Sequence, residues 1–352
     1  MDFLAEKREQ IAAKDRQIMD LIAQRMALVD EVGRYKAAHN EDVRNRPVED
    51  RVAQRYRQYA AERNLNADYA EQLSRLLMQE AVEREAAVPR AAAHPRHIAI
   101  IGGNGRMGRW LAAFFAAEGH RVDRIDPSLD NGLTLADAAA ADTVVISVPI
   151  SRVEHVLKEL DRCCPPTALI FDITSLKSPF LAPLREMAAR RSVCSVHPMF
   201  GPSAASVWDR NILICDCGDR AAAEAAAGLF ANHGANLRVM PVEEHDVYMS
   251  YVLGLSHAVN IALFTVLDRS GISSRELDGV ASTTYRKMTD TNRSVALENP
   301  FLYYEIQHLN ANRDKVLAEF DRAVRDVTAA AASDDPEAFC KLMDAGQRYF
   351  TE

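Results

Sequence analysis

The sequence predicts a three-part chain: an all-helical module, a doubly wound α/β domain, and a second all-helical segment. Three observations predict it. Composition changes sharply near residue 90: residues 1–87 hold one glycine, Gly33, and one proline, Pro47, among many charges and helix formers. After that, short β-branched runs at His97–Ile101, Arg121–Ile125, Thr143–Val148 and Ala168–Ile173 alternate with alanine-rich stretches. Such alternation marks βαβ units and a parallel sheet. From about Glu243 the strand pattern stops and helical patterning runs to the end. The predicted bounds are 1–90, 97–242 and 243–352, with the two-proline stretch from Val88 to Pro95 as a linker.

The length of 352 residues suits two or three domains. A net charge of −8 argues against a nucleic-acid surface. No apolar run is expected to reach the roughly 20 residues of a membrane span. The charged N-terminus, Met1 to Asp20, has no signal-peptide core. The expectation is a cytoplasmic protein without a membrane segment. None of the six cysteines has zinc-ligand spacing, so no metal is expected. Cys215 and Cys217 share one face of a predicted strand, Asn211–Cys217, and read as buried reduced thiols.

The first helix is predicted from near Asp2 to about Ala38. Leu4, Ile11, Ile18 and Val32 fall on one heptad position, and Ile22 and Val29 on a neighbouring one, which makes an apolar seam. Arg25 interrupts the first line and Lys36 falls on the second. They differ by about 20° in helical phase and are about 16 Å apart along the axis. Two cations on an apolar face either snorkel to water or meet an anion, because an unpaired buried charge is costly.

Arg8, Arg25, Lys36, Glu49 and Glu85, with Gln24–Val29 and Glu31–Lys36 around them, resemble the all-helical chorismate mutases. The resemblance covers residues 1–87 and implies that chorismate is rearranged to prephenate. It implies that Arg8, donated across an intertwined dimer, and Arg25 clamp carboxylates, that Lys36 faces the ether oxygen, and that Glu49 accepts the ring hydroxyl. Arg8 lies about 100° from Arg25 in phase, which fits donation to a partner. Glu85 stands where the family usually has glutamine. It must hold a proton to donate to the ether oxygen, so the mutase rate is expected to fall at high pH. Val48 and Ala81 depart from the family pattern, where arginine and serine are common.

Ile98–Ile101 leads into a glycine-rich turn, then a helix through Glu118. Gly103, Gly105 and Gly108 form GxGxxG, with Met107 inside it, between strand and helix. Asp126 ends the second strand and is placed to accept ribose hydroxyls. That favours NAD over NADP, with Arg124 nearby as the counter-argument.

Ser147–Ile150, Asp172–Lys177, Ser195–Pro202 and Glu244–Asp246 resemble the prephenate dehydrogenase family over about residues 97–350. Together with the mutase resemblance, the match is to the bifunctional T-protein type of tyrosine biosynthesis, and the third part is then an all-helical dimerisation domain. The resemblance implies that His197 deprotonates the 4-hydroxyl, with Ser147 and Pro149 at the cofactor. It implies Ser175 and Lys177 as orienting groups, although Lys177 also reads as an ordinary helix-start lysine. Arg293, or second Arg286, would clamp the substrate near Tyr303, and His257 would line its pocket. His245 and Asp246 read as a structural capping pair.

Other readings stay open: a dehydrogenase whose helical module serves only assembly or regulation, an NAD-sensing protein without catalysis, and arogenate as substrate. The chain is expected to end without a regulatory domain, so feedback by tyrosine would use the active site itself. A homodimer is expected from the apolar seams.

Overall fold

The computed structural model describes residues 2–39, 41–43, 45–89 and 94–351. Within the predicted linker, residues 90–93 lie outside the described residues. The chain divides into two compact units. The first comprises Met1–Val148, His155–Ile173 and Pro183–Met240; the second comprises Pro149–Glu154, Thr174–Ala182 and Pro241–Glu352.

The first unit begins with three helices, α1 (Phe3–His39), α2 (Arg46–Glu62) and α3 (Ala67–Ala87). Asn45 caps α2 by accepting from the Val48 amide, with Pro47 in the first turn, and Asn66 caps α3 by accepting from Tyr69. Both α1 and α2 pack on α3. Gly33 lets α1 approach closely, since a Cβ there would stand 3.1 Å from the Glu85 Cα. The predicted seam is largely uncovered in the single chain: Leu4, Ile11, Ile18 and Val32 are exposed, while Met26 and Gly33 are the buried residues of α1.

The α/β part follows as β1 (His97–Ile101), α4 (Arg106–Ala117), β2 (Arg121–Ile125), β3 (Thr143–Ile146), α5 (Ile150–Cys163), β4 (Leu169–Asp172), α6 (Leu181–Ala188), β5 (Val193–Pro198), β6 (Asn211–Asp216), α7 (Arg220–Gly228) and β7 (Asn236–Pro241). Among the described residues the sheet has seven strands in the order β2-β1-β3-β4-β5-β6-β7. The order reverses between β1 and β3, the position where α/β sheets bind ligands at their carboxyl edge. Strands β1 to β5 pair in parallel, but β6 runs antiparallel to β5. The four strands read as parallel do pair so, and β6 runs the other way because residues 199–210 contain no crossover helix. Ile98, Ile100, Leu111, Phe115, Phe171, Val196, Ile214 and Phe230 are buried together. Each contributes roughly 1.5–3 kcal/mol by leaving water. Cys215 and Cys217 are buried as predicted, whereas Cys340 is exposed.

The second unit is dominated by helices: α8 (Val242–Met249), a π segment (Ser250–Leu255), α9 (Ser256–Arg269), α10 (Ser274–Gly279), α11 (Thr283–Ala296), α12 (Pro300–Leu309), α13 (Arg313–Ala331) and α14 (Glu337–Thr351). Here the hydropathy expectation is corrected. Val242–Arg269 is one continuous helical run, long and apolar enough by length and composition to cross a membrane. No Asp, Glu, Lys or Arg lies between Asp246 and Asp268. Interspersed Ser250, Ser256, His257 and Asn260 disguise the run in the sequence. Asn260 takes up polar contacts within the unit, accepting from Asn292 at 2.6 Å. Tyr248, Tyr251, Val252, Val259 and Val266 on the same run are exposed.

Candidate active sites

In the helical module two of the five predicted residues, Lys36 on α1 and Glu85 on α3, pair directly. Lys36 Nζ donates to Glu85 Oε2 at 2.7 Å and to the Val43 carbonyl at 3.0 Å. Arg25 donates to the Leu77 carbonyl at 2.9 Å. Each cation is part-buried and held by an acceptor on α3, so the anion predicted for this face is partly supplied by Glu85. Glu49 Oε1 is buried and has no hydrogen-bond partner among the described residues. A buried carboxylate oxygen left unsatisfied is a place for a ligand donor. Arg8 is exposed on α1, away from this cluster. Of the two departures, Ala81 is buried and Val48 is exposed. Ser74, which sequence reasoning did not single out, is fully buried on α3 and donates to the Glu71 carbonyl at 2.7 Å.

The glycine turn is closed by backbone contacts. Gly102, outside the GxGxxG count, has φ +78, and a Cβ there would meet the Ser147 carbonyl oxygen at 2.2 Å. A Cβ on Gly103 would meet Arg124 at 2.7 Å, and one on Gly108 would meet the Gly102 carbonyl at 2.4 Å. The turn therefore packs β1, β2 and the start of α4 together without side chains. Gly105 precedes α4 with no side-chain cap, and such a helix start is a place for an anion. Met107 lies in that first turn and packs against the buried core. Asp126 accepts from the Asn104 amide at 3.1 Å and the Ser128 hydroxyl at 2.6 Å. Burial works against its charge, but the Ser128 and Asn104 hydrogen bonds, aided by Arg124, hold it below the usual carboxylate range. Its acceptor oxygens stay ionised, as binding to ribose hydroxyls requires. The turn and this carboxylate fit a dinucleotide. Ser147 is half-buried, its amide bonded to the Ile101 carbonyl at 2.8 Å.

His197 is buried at the end of β5, opposite Leu213 of β6. It stands at the carboxyl edge because Pro198 and the following turn end the strand there.

In the second unit Ser175 is half-buried and Lys177 is 1% exposed, with Nζ donating to the Thr174 carbonyl at 2.8 Å. A lysine so buried is not an ordinary helix-start residue. The Lys177 amide also donates to Asp246 at 2.9 Å. Asp246 in turn takes His245 Nδ1 at 2.6 Å. The pair is thus more than a helix cap. Pro149 is exposed ahead of α5. His257 stacks on Tyr303 with ring centroids 4.2 Å apart, and its Nδ1 is buried without a partner among the described residues. Burial pushes the His257 imidazole down to about 4, and burial followed by Glu298 pushes the Tyr303 phenol up. Arg293 lines a cavity of about 490 Å³ among α9, α10 and α11, together with Asp268, Asp278, Tyr285 and Asn292. Arg286 is exposed and does not line this cavity.

Comparison with known families matches residues 7–86 to chorismate mutase type II, residues 117–236 to the nucleotide-binding domain of prephenate dehydrogenase, and residues 241–345 to its dimerization domain. The chain is 26% identical over 355 residues to the T-protein of Enterobacter agglomerans, covering 99% of this chain and 93% of that one. It is 27% identical over 270 residues to a Methanocaldococcus jannaschii protein named "Probable arogenate/prephenate dehydrogenase". That match covers 72% of this chain and spans 60% of the archaeal one. A solved prephenate dehydrogenase from A. aeolicus, in complex with hydroxyphenyl propionate and NAD+, shares the fold at a TM-score of 0.59 and 18% identity. It aligns over 74% of this chain and 99% of that one. The chain therefore belongs to the bifunctional family that joins a type II chorismate mutase to the two domains of prephenate dehydrogenase.

Proposed function

We propose that residues 1–90 rearrange chorismate to prephenate, and that residues 97–242 and 243–352 together convert prephenate to 4-hydroxyphenylpyruvate with NAD. The observation that supports the first half is the Lys36–Glu85 pair, with Arg25 held on the Leu77 carbonyl of α3 and a buried Glu49 oxygen without a partner among the described residues. The rearrangement is unimolecular. The protein needs only to hold a compact dianion and stabilise charge growing on the ether oxygen. Arg25 and, from a partner chain, Arg8 hold carboxylates; Lys36 faces the ether oxygen; Glu49 accepts the hydroxyl. Glu85 leaves its ion pair with Lys36 and donates as the acid.

For the second reaction, Gly103, Gly105, Gly108 and the amides around Met107 hold the pyrophosphate, Asp126 holds the ribose, and Ser147 and Pro149 flank the nicotinamide end. Bound NAD supplies the hydride acceptor. His197 takes the proton of the 4-hydroxyl as hydride leaves the same carbon. Loss of the ring carboxylate as carbon dioxide makes the product aromatic and the step downhill. Ser175 and Lys177 orient the reacting groups. Arg293, with Arg286 as the second choice, holds the substrate side chain near His257 and Tyr303. A second reading, arogenate as substrate, draws on Asp268 and Asp278 in the cavity of Arg293, which suit a substrate ammonium. The ratio of kcat/KM for the two substrates decides between them.

The working form is a homodimer, supported by the uncovered seam of α1 and the exposed apolar face of Val242–Arg269. Tyrosine, which shares the ring and side chain of the product, is the candidate feedback inhibitor at the dehydrogenase site. The buried cysteines Cys164, Cys194, Cys215 and Cys217, none of them in a disulfide, suit a reducing cytoplasm.

Parallel variants test the two-site reading. His197→Asn should lower NADH formation by about 100-fold or more and spare chorismate consumption. Arg25→Ala should lower the mutase rate by about 100-fold and spare NADH formation from added prephenate. Equal loss of both activities in either variant would sink the reading.

A further inference from the structure

Two buried carboxylates of the second unit serve neither reaction as described so far. Glu305 on α12 is 2% exposed, and its two oxygens accept from the amides of Ile150 and Ser151, each at 3.1 Å. These are the first amides of α5, directly after Pro149. Asp246 on α8 is 4% exposed. It accepts from the Lys177 amide at 2.9 Å, the Ser178 amide at 2.6 Å and the Ser178 hydroxyl, and pairs with His245 Nδ1. These amides end the loop that carries Thr174 and Ser175. Each carboxylate thus replaces water at a helix start or tight turn with two backbone donors, a strong charge-assisted arrangement.

The placement is selective. Of the two helix starts that follow β1 and β3, that of α4 has no side-chain cap, whereas that of α5 is filled by Glu305. The pyrophosphate is thereby directed to α4, and α5 presents an already neutralised end. Further contacts lock the Asp246 anchor. Asn310 donates to the Asp246 main-chain carbonyl at 3.1 Å, and Lys177 Nζ closes the loop on Thr174 at 2.8 Å.

We propose that Asp246 and Glu305 are positioning residues of the dehydrogenase, buried carboxylates that fix through backbone amides the two segments bearing Pro149 and Ser175. The proposal rests on the dehydrogenase reading above. These segments follow β3 and β4 at the carboxyl edge of the sheet, where that reading puts the nicotinamide and the substrate. Holding them from the main chain leaves the side chains of Ser175 and Pro149 free for the ligands. Small displacements of such groups cost large factors in rate, because hydride transfer needs reacting atoms near contact distance.

The test uses the full chain with Glu305→Gln and Asp246→Asn, which keep shape and remove charge. NADH formation from prephenate should fall about 10- to 100-fold in kcat. KM for NAD and prephenate should move far less, and chorismate consumption should be unchanged. Amide hydrogen exchange should accelerate at Ile150 and Ser151 in the first variant, and at Lys177 and Ser178 in the second. If Asp246→Asn does not fold, Glu305→Gln decides alone. A kcat in Glu305→Gln equal to that of the unmodified chain overturns the inference and leaves the dehydrogenase reading standing. So does a matched fall in both activities, which signals general loosening. An unmodified chain that forms no NADH from prephenate overturns the reading, and the inference with it.

Discussion

The helical module and the glycine turn both prepare for an anion, and they do it in opposite ways. In the module the cations are side chains already engaged: Arg25 with the Leu77 carbonyl, Lys36 with Glu85 and Val43. Substrate must displace or share those partners. In the turn the site is made of main chain, because glycines exclude side chains and Gly105 offers no cap. A side-chain site can therefore be tuned by protonation and by a partner chain, while a backbone site answers mainly to steric change.

The sharpest way to break this comparison is steric. Gly108→Ala places a Cβ 2.4 Å from a backbone oxygen, so β1, the turn and α4 cannot keep their spacing. NAD affinity should drop by about 10- to 100-fold, from roughly 1–3 kcal/mol of overpacking, as read by fluorescence titration. The mutase rate should not change. Retained NAD affinity would show that the turn is not the dinucleotide cradle.

Next in size is complementation. Arg8 is exposed in the single chain, and its proposed role needs a partner. Arg8→Ala and Arg25→Ala should each lack mutase activity, but mixed dimers should regain it, since one site then carries both substitutions and the other neither. No recovery after subunit exchange, verified by mass spectrometry, argues that both arginines serve one chain.

A smaller effect concerns Glu85. Glu85→Gln supplies a hydrogen-bond donor as an uncharged amide, so the mutase rate should be kept or raised. A loss of about 100-fold would remove the proposed donation to the ether oxygen.

The smallest effect is on stability. The His257 imidazole lies near 4 in the folded unit against 6.5 when free. Between those values the unfolded chain binds more protons, so stability is complete above about 6.5 and declines as pH falls toward 4. Replacing His257 with Phe should flatten the melting midpoint of the protein across that window, measured by calorimetry.

Much of this architecture was legible because its causes are local. The glycine turn, the strand before it and Asp126 after it need only their own neighbours, as does Asn45 at the start of α2. The missed features depend on distant partners. The apolar run Val242–Arg269 is masked by Ser250, Ser256, His257 and Asn260, whose polarity is absorbed by contacts such as Asn292 from another helix. The turn from β5 into an antiparallel β6 follows from a connection without a helix. Glu305 had no sequence signal at all, because its partners Ile150 and Ser151 are far away along the chain.

By itself the sequence determined the helical, α/β and helical order, the nucleotide turn and the position of His197 at a strand end. These follow from periodicity and from backbone conformations that particular residues permit. Only the tertiary structure decided that Lys36 meets Glu85, that Glu49 keeps an open oxygen, and that Asp246 and Glu305 anchor two loops. Burial makes those choices: a charge removed from water must find a partner, and which partner is within reach is a property of packing rather than of spacing.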